Sequence, residues 1–299
     1  MGINKSTIKN KHLRGRPMRK NRYKDYDYTS VYTKALKDEK REELIEDLRI
    51  NQNYVYWRRT ITSGKIVEVE IYPVWKCKHD IPRRKNRVES TDSQKKLNNK
   101  NSKKKVVRLI NTNFGKEDLY ITVTYEDGFL PDEQTARKDM QNYIRRLKRY
   151  RKKHGLDELK YIYSIGYENE PNNSKKIRVH HHLIINKMDR NMAEELWGKG
   201  TANSKRLQPD DFELTGVAKY IANQGPERWS ASRNLKKPKV TLNRTGLTKR
   251  KAINLISEPV LFKDIFEDKY QDCIYKDYKA YYSEESPGVY LYIRMRKKE

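Results

Sequence analysis

The stretch from Arg178 to Asn186 constrains the fold more than any other part of the chain, because it reads Arg-Val-His-His-His-Leu-Ile-Ile-Asn. It is short and rich in β-branched residues, which predicts a β-strand. Side chains on a strand alternate between faces, so His180 and His182 share one face, about 7 Å apart along the backbone, and His181 points to the other. Two imidazoles in this arrangement can bind one divalent ion. The stretch is therefore either a metal site or a solvated histidine patch, and the neighbouring sequence decides between them.

A pair of carboxylates, Glu168 and Glu170, precedes this strand. Residues 159–167 alternate like a second strand, and residues 171–174, Pro-Asn-Asn-Ser, predict a turn between the two. A hairpin across that turn brings Glu168 or Glu170 beside His180. Two imidazoles and one carboxylate suit Mg²⁺ or Mn²⁺ in a phosphoryl-transfer enzyme, although these ligand types also accept Zn²⁺. Glu168 is the preferred third ligand because it continues the strand alternation, and Glu170 is the alternative.

The charge of the chain predicts a polyanionic partner. Its 67 Lys and Arg residues exceed its 40 Asp and Glu residues, which gives a formal net charge of +27. The 22 tyrosines are interleaved with these basic residues. This pattern suits binding of single-stranded nucleic acid, in which nucleobases stack on aromatic rings and phosphates contact Lys and Arg. A membrane partner is disfavoured, because no stretch approaches the ~18–20 apolar residues of a spanning helix. The two cysteines are far apart in sequence and fit a reducing cytoplasm.

The order of predicted elements indicates an α+β fold. A strand over 118–125 is followed by a helix over 131–153, the hairpin over 159–185, and a short helix over 191–197. The next helix begins near Pro209 and extends to about residue 223. This order suits a central antiparallel sheet with helices packed on one face.

A Lys- and Asn-rich stretch marks the start of a central domain. This domain is expected over residues 105–240, and residues 241–299 are expected to form a C-terminal accessory segment. A basic N-terminal extension, residues 1–104, contains an amphipathic helix over 34–49, a β-hairpin over 53–74 around Ser63-Gly64, and a Lys- and Asn-rich linker over 76–105.

Four motifs in a fixed order resemble a known family. Tyr-Ile-Thr-Val-Thr-Tyr at 120–125 and Arg-Val-His-His-His-Leu-Ile-Ile at 178–185 come first, followed by Trp-Gly-Lys-Gly at 197–200 and Val-Ala-Lys-Tyr-Ile at 217–221. This order resembles the HUH single-strand endonucleases, and most of all the rolling-circle replication initiators of bacterial phages and plasmids. The segment 228–238 is also similar to the one that follows the tyrosine helix in that family. The resemblance covers about residues 105–240 and implies an RRM-like, ferredoxin-type core with basic extensions at both ends.

The resemblance also implies a reaction. Tyr220 attacks a phosphodiester of single-stranded origin DNA and forms a 5′-phosphotyrosine link, and the released 3′-hydroxyl primes replication. Lys219 is a candidate for contacting the phosphate. Mg²⁺ or Mn²⁺ held by His180, His182 and Glu168 polarises the scissile phosphate. The implied partners are origin DNA, a host helicase and a DNA polymerase in the bacterial cytoplasm, and the chain itself has no Walker-type Gly-Lys-Ser/Thr motif for ATP.

The chain departs from the family pattern on the tyrosine helix. Many relatives carry a second tyrosine four residues earlier or a lysine three residues later, where this chain has Gly216 and Asn223. A single tyrosine leaves a second strand transfer to another nucleophile or another subunit. Two alternatives remain open at this point. The first is a related HUH transposase or relaxase, and the second is a nucleic-acid-binding protein without enzymatic activity.

Overall fold

Two antiparallel sheets with helices packed on them form the described part of the protein, which confirms the α+β class. The computed structural model describes residues 34–40, 42, 54–75, 91–166, 179–223, 229–245, 247–258, 260–282 and 288–298. In chain order the strands are β1 (Lys34–Ala35), β2 (Tyr54–Ser63), β3 (Ile66–Trp75), β4 (Leu119–Thr124), β5 (Tyr161–Gly166), β6 (His180–Ile185), β7 (Ala202–Arg206), β8 (Trp229–Ala231), β9 (Lys239–Arg244), β10 (Cys273–Tyr282) and β11 (Val289–Lys297). The helices are α1 (Thr91–Asn113), α2 (Glu133–Lys153), α3 (Arg190–Glu195), α4 (Thr215–Asn223), α5 (Lys249–Ser257) and α6 (Leu261–Lys269), with a short 3₁₀ helix at Asp38–Lys40.

One sheet, called here the histidine sheet, has the strand order β7-β4-β6-β5-β8. Its pairings are all antiparallel. The segment β4-α2-β5-β6-α3-β7 has the connectivity of the ferredoxin-like motif. The strand β6, which carries the three histidines, lies in the middle of this sheet between β4 and β5.

Helices cover both faces of the histidine sheet, so the expectation of helices on one face only was wrong. On one face, Val123, Leu183 and Ile185 pack against the apolar side of α2 and against α3. On the other face, Ile162 and Ile184 are fully buried beneath α1 and α4. The prediction failed because the second face is covered by α4 together with α1, and most of α1 had been assigned to a linker.

The helix α2 follows from its sequence. Asp132 caps its first turn by accepting a hydrogen bond from the Thr135 backbone N–H at 2.7 Å. Apolar side chains at helical spacing form the buried side, and basic residues in the last turn complement the helix dipole. Gly155, at a φ of 64°, follows the end of the helix.

The second sheet, called here the hairpin sheet, has the order β1-β10-β11-β3-β2-β9. The predicted hairpin over 53–74 is confirmed as β2 and β3, joined through Gly64 at a φ of 60°. One face of this sheet packs on α5 and α6 through Val69, Phe262 and Ile293. The other face meets α1, whose Arg108 donates to Glu68 at 2.6 Å and to Glu70 at 3.1 Å. The helix α1 therefore joins the two sheets.

Several local predictions need correction. The Lys- and Asn-rich stretch assigned to a linker over 76–105 is helical from Thr91 onward, and α1 runs across the predicted boundary at residue 104. The tyrosine helix begins at Thr215 rather than near Pro209, because Asp210 and Glu213 close a bridged turn first.

Some predictions lie partly or wholly outside the described residues. The predicted amphipathic helix over 34–49 is one of them. The described residues at the start of this range form the strand β1 and the short 3₁₀ helix. Glu168 and Glu170 are also outside the described residues. The division into three domains stays a prediction. Across the described ranges, no helix combines the length and the apolar character that crossing a membrane requires.

Candidate active site

His180 and His182 lie on the same face of β6, as the strand alternation predicts. Their ring centroids are 4.8 Å apart. The register places His180 between Thr124 on β4 and Gly166 on β5, and His182 between Thr122 and Ser164. Because β6 is the middle strand, both imidazoles are held by neighbours on two sides.

His182 is arranged to offer one nitrogen. Its Nδ1 lies 2.7 Å from the Tyr120 hydroxyl and 3.3 Å from the Thr122 hydroxyl. Its Nε2 is buried and has no hydrogen-bond partner among the described residues. Burial and the nearby His180 lower the pKa of His182 to about 4, so the ring is neutral at pH 7. A neutral imidazole with one nitrogen hydrogen-bonded and the other unpartnered is the form in which histidine binds a metal.

The His180 ring occupies space left by a glycine. A Cβ atom on Gly166 would lie 2.6 Å from Cε1 and 2.9 Å from Cδ2 of His180, and closer still to Nε2. Only a residue without a side chain leaves room for the ring at this point. The two histidines and this space therefore fit a pair of metal ligands on one strand face.

Tyr220 lies directly beside this pair. The helix α4 packs against α1 and the histidine sheet through Ala218, Ile221 and Ala222. That packing places the Tyr220 ring 4.8 Å from the His182 ring, centroid to centroid, at an interplanar angle of 73°. The Tyr220 side chain is 50% exposed, so it is accessible to a substrate at the histidine pair.

The other predicted residues stand in different positions. Lys219 is exposed on α4, and its side chain leaves the helix about 100° around the axis from that of Tyr220. Glu168 and Glu170 follow Gly166 by two and four residues in the sequence. Among the described residues, no group of three or more His, Cys, Asp or Glu side chains is placed to hold a metal ion. The third ligand accordingly stays a prediction.

His181 belongs to the core rather than to the site. Its Nε2 lies 3.2 Å from the Tyr125 hydroxyl, and its ring centroid is 5.7 Å from that of Trp197. Burial, with smaller contributions from His180 and His182, lowers the pKa of His181 to about 3. The neutral His181 ring therefore packs in the core. It lies on the face of β6 that the strand alternation predicted for it.

Two residues that support the site were missed from the sequence. Tyr120 stacks on His182 with ring centroids 5.8 Å apart, in addition to its hydrogen bond. Asn111, on α1, accepts a hydrogen bond from the Leu214 backbone N–H at 3.0 Å and donates to the Thr215 hydroxyl at 3.1 Å. It thereby holds the start of the tyrosine helix. Tyr120 was recognisable as part of a motif, but its contact with His182 depends on the register between β4 and β6.

Comparison with known proteins places this geometry inside one matched region. Residues 118–225 match the family model of the replication-associated protein ORF2/G2P. The matched range extends from β4 to the tyrosine helix and includes His180, His182 and Tyr220. No curated protein and no solved structure is significantly similar to the chain. Over these residues the chain is therefore similar to a family of replication-associated proteins.

Proposed function

We propose that this protein starts replication by nicking single-stranded origin DNA and remaining joined to its 5′ end through Tyr220. The observation that carries the proposal is the position of the Tyr220 ring against His182, whose Nε2 is buried and unpartnered among the described residues. This juxtaposition lies within the range that matches the replication-associated family. A nucleophile beside a phosphate-binding metal site is the combination that strand transfer requires.

The reaction is a transesterification at one phosphodiester. The Tyr220 hydroxyl oxygen forms a bond to phosphorus and loses its proton, while the bond from phosphorus to the 3′-oxygen breaks. The departing oxygen takes up a proton and becomes a free 3′-hydroxyl. The strand now carries a 5′-phosphotyrosine, so the energy of the broken bond is kept for later rejoining. The 3′-hydroxyl primes rolling-circle replication.

The residues of the site have separate tasks in this step. His180, His182 and the carboxylate of Glu168, or alternatively Glu170, would hold Mg²⁺ or Mn²⁺. When bound, the ion supplies positive charge for the oxygens of the scissile phosphate. Tyr120 fixes the orientation of His182 through Nδ1. The exposed Lys219 supplies a cation for the flanking phosphates. A host helicase and polymerase in the bacterial cytoplasm would act on the nicked DNA.

The test is formation of a covalent adduct on a denaturing gel. The protein is incubated with Mn²⁺ and labelled single-stranded DNA from the replicon that encodes it. We expect an adduct that survives denaturation, requires the metal, and is absent from Tyr220→Phe and from His180→Ala/His182→Ala. Tyr150→Phe, which changes a tyrosine on α2, serves as the matched control and should form the adduct.

Two other outcomes lead elsewhere. An adduct that still forms with Tyr220→Phe would show that the protein is a nuclease whose nucleophile is a residue other than Tyr220. Salt-sensitive binding without any adduct, unchanged in the histidine and tyrosine variants, would show a nucleic-acid-binding protein without nuclease activity.

A further inference from the structure

A cleft of about 890 Å³ lies outside the site described above. One wall is the face of the hairpin sheet that meets α1, and the other walls are α1 itself and the segment 229–240. We call it the basic cleft. The residues that carry its chemistry are Arg59, Glu70 and Tyr72 of the hairpin sheet, Lys104, Lys105 and Arg108 of α1, and Trp229, Arg233 and Lys237 of the third wall.

The charge of the cleft is strongly positive. Among the described residues that line it, six carry basic side chains and Glu70 is the single carboxylate. Glu70 is already surrounded by cations, because Arg108 lies 3.1 Å, Arg59 3.5 Å and Lys104 3.7 Å from its carboxylate oxygens. The remaining bases, Lys105, Arg233 and Lys237, are exposed. The cleft therefore presents cations at its rim that the single carboxylate cannot neutralise, which favours an anionic ligand.

Beneath the basic rim the walls are apolar and aromatic. Ile61, Leu109 and Leu235 line the cleft together with Tyr72 and Trp229. The Trp229 ring is fixed, since its Nε1–H donates to the Ser102 hydroxyl at 2.6 Å. Phosphate-binding cations above a rigid aromatic wall are the features with which proteins hold single-stranded nucleic acid.

The basic cleft begins close to the active site. On the histidine sheet, His182 pairs with Ser164, and Ser164 pairs with Trp229. Directly opposed residues share a face, so Trp229 and His182 lie on the same face of the sheet. Two strand spacings separate their backbones, which is about 10 Å. This separation is within the length of a short DNA strand.

We propose that the basic cleft is a second binding site for single-stranded DNA. It holds nucleotides that flank the scissile phosphate, with a base against Trp229 and phosphates at Lys105, Arg233 and Lys237. The position relative to the scissile phosphate rests on the proposed nicking function, whereas the binding site itself does not. Cleavage then depends on nucleotides beyond those at the histidine pair.

Binding is measured by fluorescence anisotropy with a labelled oligothymidylate of about 16 nucleotides, near the upper end of known single-strand site sizes. The variant Lys105→Ala/Arg233→Ala/Lys237→Ala changes exposed side chains. We expect it to weaken binding at least tenfold and to reduce the slope of log affinity against log salt by about 2, since each lost phosphate contact contributes about 0.7. Trp229→Leu should weaken binding about tenfold.

A matched control removes the same charges elsewhere. Lys138→Ala/Arg145→Ala/Lys152→Ala changes three exposed bases on α2, which covers the opposite face of the histidine sheet. We expect this variant to bind nearly as well as the unaltered protein. Equal losses of DNA affinity in the two triple variants would contradict the proposed binding site, because the affinity would then depend only on the overall charge of the protein.

A cross-linking measurement is independent of any effect of substitution on folding. Oligothymidylate with 5-iododeoxyuridine is irradiated on the unaltered protein, and the linked peptides are identified by mass spectrometry. Links to Trp229 or Tyr72 support the proposal, and links confined to residues outside the cleft overturn it. Displacement of the oligonucleotide by millimolar dTTP would also overturn it, because the cleft would then be a site for a free nucleotide.

Failure of the cleft and failure of the proposed nuclease give different results. If no adduct forms but the cleft variants bind the oligonucleotide more weakly, the second binding site is supported and the nuclease activity is not. If the adduct forms and the cleft variants bind the oligonucleotide as well as the control variant does, the nuclease activity is supported and the second binding site is not.

Discussion

Gly166 is the residue on which the position of His180 depends most directly. Replacing it with alanine places a methyl group against the imidazole, at 2.6 Å from Cε1. The ring can swing away, so we expect Gly166→Ala to fold but to lose at least tenfold in Mn²⁺ affinity by titration calorimetry and in adduct formation. Gly115→Ala is the matched control, because a Cβ atom there meets nothing within 4 Å. Unchanged Mn²⁺ affinity in Gly166→Ala would show that His180 is not a ligand.

Tyr120 orients the other histidine. A metal ion bound at Nε2 of His182 would leave the ring proton on Nδ1, which would then donate to the Tyr120 oxygen 2.7 Å away. Tyr120→Phe keeps the stacked ring and removes that acceptor, and loss of such a partner typically weakens metal binding by about 10–100-fold. We expect Mn²⁺ affinity to fall within this range while the thermal midpoint changes little. An equal loss in Tyr161→Phe, on the opposite face of the sheet, would contradict this assignment.

At this scale the sequence predicted the faces of the strand but not its partners. Alternation along β6 separated His180 and His182 from His181, and the structure has that separation. The role of Tyr120 was not predictable, because alternation within β4 leaves open which residue of β6 stands opposite. That register comes from the packing of the whole sheet.

Among the elements, the tyrosine helix depends on a contact from outside itself. Asn111 of α1 satisfies the Leu214 N–H and the Thr215 hydroxyl in a buried position. We expect Asn111→Ala to lower the free energy of unfolding by about 1–3 kcal/mol, measured in urea, because it leaves a buried donor unpaired. Adduct formation should also fall, since α4 positions Tyr220. Asn191→Ala, exposed on α3, should change neither quantity, and an equal effect of both variants would rule out a specific role.

The helix α1 shows why composition misassigned an element. Its first half is Lys-, Asn- and Ser-rich, which is typical of a linker. The buried side chains Val106, Leu109 and Ile110 lie in its second half. A helix that is anchored by packing at one end extends into residues whose own preferences do not require it, because each added residue continues an existing helix. The residue pattern of one segment does not show whether that segment continues a helix that is packed elsewhere along the chain.

On the scale of the whole molecule, the hairpin sheet helps to hold the tyrosine helix. Arg296 of β11 donates to Glu213 at 2.8 Å, and the Arg294 guanidinium lies 4.5 Å from the centroid of the Phe212 ring. Glu213 has a φ of 55°, a left-handed conformation that is costly for a residue with a Cβ. The ion pair therefore stabilises a strained turn directly before α4. Residues outside the family-matched range thus contribute to the placement of Tyr220.

The same dependence predicts that the matched range, residues 118–225, does not fold alone. That fragment lacks α1, and without it Ile162 and Ile184 become exposed. Each fully buried apolar side chain contributes roughly 1.5–3 kcal/mol, so losing Val106, Leu109 and Ile110 of α1, together with Phe114 directly after it, costs roughly 6–12 kcal/mol. This is comparable to the whole stability of a domain, about 5–15 kcal/mol. We expect no cooperative urea transition by circular dichroism for 118–225 and a cooperative one for 91–245, which keeps α1 and β8. Equal cooperative transitions in both fragments would show that α1 is an accessory to the histidine sheet rather than part of its core.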